Sequence, residues 1–88
     1  YEPIWAIGKN NKAANIKYCS ESIHFIKEYS LKKIKTRSKK ISVLYGGSVD
    51  EKNCSDFIKS EFIDGIFIGR AALKVNNFIK ICKKSLRA

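Results

Sequence analysis

Apolar positions recur with two different periods along this chain. From about Lys12 to Arg37, Ile16, Cys19, Ile23, Ile26 and Ile34 fall at mostly three- and four-residue steps, with Lys, Ser and Glu between them. That is the pattern of an amphipathic helix, with fraying or a break expected near Ser30. Ile41, Val43, Leu44 and Tyr45 then make a nearly continuous apolar run stopped by Gly46 and Gly47, which suits a short strand buried on both faces. Ser48 or Asp50 is placed to cap a second helix through Phe57 and Ile58. The segment FIDGIFIG supplies another buried strand ending at Gly69, and a last helix from about Asn76 to Leu86 turns Phe78, Ile81 and Cys82 inward.

The order loop, helix, strand, helix, strand, helix is the alternation of a parallel α/β protein rather than of a sandwich or a bundle. Both strands finish in glycine, where backbone can approach a ligand closely. The chain opens on Tyr1 and contains no methionine, so the expectation is a piece whose domain begins upstream.

Composition changes this picture little. The formal charge of +10, from 18 Lys plus Arg against 8 Asp plus Glu, makes polyanion binding a candidate. The lysines are spread over positions that would be outer helix faces, and solvated faces are the simpler account. Cys19, Cys54 and Cys82 are odd in number and show no C-x-x-C spacing, so buried thiols are expected rather than a disulfide framework or a metal site. No apolar run approaches the roughly 18 to 20 residues a membrane span requires.

Three segments carry candidate chemistry. In YEPIWAIG, Glu2 follows a presumed strand end and precedes Pro3, an apolar stretch and Gly8. Such a carboxylate could act as a general base, with the apolar stretch closing over it to exclude water. A surface glutamate before a proline turn is, on spacing alone, the simpler reading. In YGGS, Tyr45 to Ser48, consecutive glycines expose amide N–H groups that suit an anion. An ordinary strand-to-helix turn would look the same. In IDGIFIGRAAL, Gly69 closes a strand and Arg70, Ala71 and Ala72 follow, giving either a phosphate clamp or tight packing at a barrel rim.

Taken together and in order, YEPIWAIG, LYGGSV and DGIFIGRAAL resemble the signature segments of the triosephosphate isomerase family, from Tyr1 to about Leu73. The resemblance implies an α/β fold, a partial (β/α)₈ TIM barrel covering the end of strand six through helix eight. Residues 1–88 would then be the C-terminal fragment of a single barrel domain. It implies interconversion of dihydroxyacetone phosphate and glyceraldehyde 3-phosphate by proton transfer through an enediolate. Glu2 matches the base, and Gly8, Ser48, Gly69 and Arg70 match positions whose amides meet the substrate phosphate. Pro3, Ile4, Trp5, Ala6, Ile7 and Lys9 belong to the lid, which Tyr45 and Ser48 would latch. The resemblance further implies a cytoplasmic glycolytic homodimer for the full-length protein, with a small phosphorylated triose as substrate, no cofactor, no metal, no nucleic acid and no membrane partner.

The departures fall at two places. Lys9, Asn10 and Asn11 stand where the family usually has Thr-Gly-Lys, and Arg70 stands at a position commonly occupied by glycine. The family's substrate-binding asparagine and lysine and its electrophilic histidine have no counterpart here, and His24 reads as an ordinary helix residue. The fragment alone is therefore expected to be inactive and, with open strand edges, prone to associate. Alternatives are a different phosphate-binding barrel, a non-catalytic remnant, and a basic nucleic-acid-binding module. The last would need clustered cations with interleaved aromatics.

Overall fold

The computed structural model describes residues 1–35 and 40–87. A short 3-10 turn (Ile4–Ala6) leads to helix α1 (Ile16–Lys33), strand β1 (Leu44–Gly46), helix α2 (Cys54–Lys59), strand β2 (Gly65–Phe67), a second 3-10 turn (Arg70–Leu73) and helix α3 (Val75–Arg87). β1 and β2 pair in parallel, with Leu44 opposite Gly65, Tyr45 opposite Ile66 and Gly46 opposite Phe67. The expected alternation is present, and each strand runs straight into a loop that approaches Glu2 or Gly8.

Helix α1 starts at Ile16 rather than Lys12, because Asn15 stays extended and its side-chain oxygen accepts from the Tyr18 amide at 3.1 Å, an N-cap. It continues unbroken past Ser30 to Lys33. The expected end at Arg37 lies outside the described residues. Cys19 and Ile23 are buried, Ile16 and Ile26 pack against the core, and Ile34 is exposed just beyond the helix end.

Helix α2 is shorter than its pattern suggested, and Ser48 does not cap it: its hydroxyl donates to the Ala6 carbonyl instead. Asp50 does satisfy amides at the preceding turn, accepting from Lys52 at 2.8 Å and Asn53 at 3.0 Å. The core gathers Cys19 and Ile23 of α1, Tyr45 of β1, Cys54 and Phe57 of α2, and Ile81 of α3. Tyr45 and Phe57 stack with ring centroids 4.1 Å apart and planes 8° apart, which joins strand to helix at its centre.

Three expectations about burial fail for one reason. Leu44 and Phe67, which alternation puts on the face away from Tyr45, are exposed, so neither strand is covered on both faces. Of the three residues of α3 expected to turn inward, Ile81 is buried, while Phe78 and Cys82 are exposed. Among the described residues, α3 packs chiefly against α2 and the second 3-10 turn, and no layer covers the remaining apolar surface. Among those residues, too, no helix is long and apolar enough to cross a membrane.

One polar clip ties the layers together. The Asp64 carboxylate accepts from the Val43 amide at 2.7 Å and pairs with the Lys27 ammonium at 2.7 Å, linking α1 to the approaches of both strands. Lys27, then the Val43 amide, hold the Asp64 carboxyl below its ordinary value of 3.8. The sign follows from linkage. A folded pKa below the unfolded one stabilises the fold fully above the ordinary value, and that contribution fades as pH falls through the lower folded value. Thermal melts recorded from neutral to acid pH should therefore show a steeper acid loss for the natural sequence than for Asp64→Asn, with the two curves converging at the acid end. Parallel curves would remove Asp64 from the acid response.

Candidate active site

The loop that opens the chain is held on β1 by its backbone. The Gly46 amide donates to the Tyr1 carbonyl at 2.9 Å and the Tyr1 amino group donates to the Leu44 carbonyl at 2.7 Å. Glu2 is thereby set beside Gly46. A Cβ built on Gly46 would lie 3.0 Å from both Cγ and Oε1 of Glu2, so the absence of a side chain at Gly46 lets the carboxylate rest against the strand end.

From Glu2 the apolar segment runs outward and returns. Pro3 and Ala6 are buried, whereas Ile4, at 86% exposure, Trp5 and Ile7 are exposed. Trp5 meets Tyr18 of α1 edge-on, with centroids 5.5 Å apart. The Ser48 hydroxyl donates to the Ala6 carbonyl at 2.6 Å. Beneath, the buried Tyr45 hydroxyl accepts from the Ala14 amide at 3.0 Å and donates to the Gly47 carbonyl at 2.9 Å. Burial pushes the Tyr45 phenol up, with the Ala14 hydrogen bond acting the other way, so the group stays a neutral O–H donor.

Backbone angles explain the turn residues. Gly8 has φ +108° and Gly47 φ +137°, and two non-glycine residues, Asn10 (φ 68°) and Ser48 (φ 51°), occupy the left-handed region. Asparagine tolerates that region better than most residues. The Asn11 side-chain amide also donates to the Ile7 carbonyl. The unusual Lys9-Asn10-Asn11 stretch thus completes a turn that begins at Gly8 with no second glycine, and Lys9 itself is exposed. At Arg70 φ is not positive, so a side chain there meets no backbone penalty.

These loops enclose a cavity of about 200 Å³ lined by Glu2, Ile7, Gly8, Gly47, Ser48, Val49, Phe67, Gly69 and Arg70. All five residues assigned to base or phosphate contact from sequence lie on it. Tyr45, Pro3 and Ala6 are buried and do not line it, and Ile4, Trp5 and Lys9 lie outside it. Among the described residues, the backbone amides of Gly8, Ser48, Gly69 and Arg70 donate to no acceptor. Glu2 therefore lines one small cavity together with four residues whose backbone N–H groups are free, a set of groups able to take up an anion while leaving a base beside it.

Sequence reasoning missed Phe67, which lines the cavity at 61% exposure. The signal was its place at the end of β2, two residues before Gly69. It also missed Ala14, whose amide Tyr45 ties. His24 does not line the cavity: it lies in α1, 3.1 Å from Glu28 and with its ring tilted 37° against Phe62, centroids 4.2 Å apart.

Parallel strands joined by helices, with glycine turns gathered at one strand-end cavity, define a segment of a (β/α)₈ barrel with an anion-suited mouth. The chain belongs to the triosephosphate isomerase family, whose model matches residues 1–85. It is 42% identical over 88 residues to the triosephosphate isomerase of Blochmanniella floridana, covering 97% of this chain and 32% of that protein. To the L-erythrulose-1-phosphate isomerase of Rhizobium etli it is 46% identical over 81 residues, covering 92% of this chain and 29% of that protein. The crystal structure of triosephosphate isomerase from Bartonella henselae superposes with a TM-score of 0.81 at 32% identity, over 100% of this chain and 34% of that one. The chain thus spans about a third of the length of the curated relatives it matches.

Proposed function

We propose that residues 1–88 supply the base, lid and phosphate loops of a triosephosphate isomerase. The observation that carries this reading is the single cavity lined by Glu2 and by Gly8, Ser48, Gly69 and Arg70, whose backbone amides are free. In this reading the substrate phosphate lies against the amides. Glu2 takes a proton from the carbon beside the carbonyl and returns it to the neighbouring carbon, while the hydroxyl proton moves between the two oxygens through the enediolate. Amide donors suit the phosphate because the fold fixes their direction. Triosephosphate isomerase is itself the familiar example of a glutamate base working beneath a closing loop.

Pro3 to Lys9 act as the lid, with Ser48 and Tyr45 as its latch. Two strands do not close a barrel, and no group able to polarise the substrate carbonyl opposite Glu2 is supplied by His24. Turnover therefore belongs to a barrel completed by further strands, with this segment as its C-terminal part, and the 88 residues alone are inactive. The family resemblance supports a cytoplasmic, homodimeric, glycolytic enzyme.

A second reading is favoured by the 46% identity to the Rhizobium etli enzyme: the same proton transfer on L-erythrulose 1-phosphate. The two are separated by steady-state kinetics of the full natural chain that carries this segment. We expect kcat/KM for dihydroxyacetone phosphate to exceed that for L-erythrulose 1-phosphate by about tenfold or more, the scale at which pockets discriminate small additions. The reverse order would select the four-carbon substrate, and no turnover of either would leave a non-catalytic remnant.

A further inference from the structure

We infer that the guanidinium of Arg70, and not only its backbone amide, is an anion contact of the cavity, so that the substrate phosphate is held by a fixed positive charge as well as by N–H donors. The identity of the anion rests on the isomerase reading above; the contact itself does not.

Among the described residues, Glu2 and Arg70 are the only charged residues lining the cavity. Among those residues, too, neither forms an ion pair with the other, and Arg70 has no salt-bridge or hydrogen-bond partner for its side chain. The two opposite charges are thus both available. An anion can engage Arg70 without competing with Glu2, and Glu2 is left unpaired to accept a proton.

Arg70 also lines a neighbouring hollow of about 380 Å³ with Lys12 and Asp50. Asp50 already accepts from the amides of Lys52 and Asn53, and among the described residues no ion pair draws the guanidinium to it. Beside Arg70, a Cβ built on Gly69 meets nothing within 4 Å, so there is room for a ligand next to this stretch of main chain. A guanidinium stays protonated at any physiological pH and presents a planar fork of donors matched to phosphate oxygens. A cavity that relied on amides alone would bind an anion with weaker salt dependence than one that adds a full charge.

The test is calorimetric titration of inorganic phosphate into the full natural chain, into Arg70→Met and into Arg70→Lys, at low and at raised salt, with kinetics on dihydroxyacetone phosphate in parallel. Arg70 is exposed, and matched thermal melts will show that both variants fold. Expected is a loss of phosphate affinity of about tenfold or more in Arg70→Met, partial retention in Arg70→Lys, a flatter salt dependence in Arg70→Met, and a rise in KM larger than any fall in kcat. Phosphate affinity unchanged in Arg70→Met, or no phosphate binding by the natural chain, would overturn the contact. If the natural chain turns over no triose phosphate yet Arg70→Met still loses phosphate affinity, the isomerase reading falls and the contact stands.

Discussion

Glu2→Gln in the full natural chain should lower isomerase turnover by about 10²- to 10⁴-fold, the range a positioned general base contributes, while inorganic phosphate still binds. The substitution keeps the shape of the side chain and removes its ability to accept a proton. Shape matters here because the carboxylate lies so close to Gly46 that a Cβ at that residue would come within 3.0 Å of it. Phosphate binding should persist because the amides of Ser48 and Gly69 belong to the turns after β1 and β2, and the Gly8 amide, six residues along the opening segment, is a backbone donor that does not depend on the Glu2 carboxylate. Turnover within a few fold of the natural chain would take Glu2 out of the mechanism. Joint loss of turnover and phosphate binding would point instead to a collapse of the loops.

The largest expected effect on stability is at Gly47. Its φ of +137° is strained for any residue with a side chain, and a Cβ there would meet the Ala6 Cβ and the Tyr45 hydroxyl, each at 2.9 Å. Neither neighbour yields easily. Ala6 and Tyr45 are both fully buried, and Tyr45 is fixed by its stack on Phe57 and its bonds to Ala14 and Gly47. Gly47→Ala should therefore cost about 2–4 kcal/mol, combining backbone strain with overpacking. It should also push Ala6 away from Ser48 and so loosen the lid. Gly69→Ala is the control, since φ at Gly69 is −98° and nothing lies within 4 Å of its Cβ. Denaturant unfolding should separate the two variants clearly, and equal midpoints would refute the packing argument.

Much of the cavity was legible from residue order because its parts are forced by local geometry. A carboxylate pressed against a strand end requires a residue such as Gly46, and a turn under a buried alanine requires Gly47. YGGS therefore marks a place where backbone and side chain come close. Gly69 was legible for a weaker reason, since its surroundings are open and its sequence context rather than steric need singled it out. What the pattern could not show was which apolar faces would find a cover. A helical period names the inward side of α3 but not the extent of the surface it meets, so Phe78 and Cys82 read as core and are exposed. The same holds for Leu44 and Phe67, whose strand pattern fits a two-sided burial that the two strands and three helices of the described residues do not provide. Of the two residues the pattern offers to cap α2, Ser48 or Asp50, the left-handed Ser48 turns its hydroxyl to Ala6 instead, and Asp50 accepts from the Lys52 and Asn53 amides in the preceding turn.

Everything functional rests on Glu2 facing a substrate whose anionic end is held by the turns after β1 and β2. Solvent deuterium uptake measures that most directly, because an enediolate formed by a carboxylate base exchanges its carried proton with water. Incubated in heavy water with dihydroxyacetone phosphate, the full natural chain should place deuterium on the substrate carbon next to the carbonyl at a rate comparable to turnover, and Glu2→Gln should not. Equal deuterium uptake by both proteins would contradict the account.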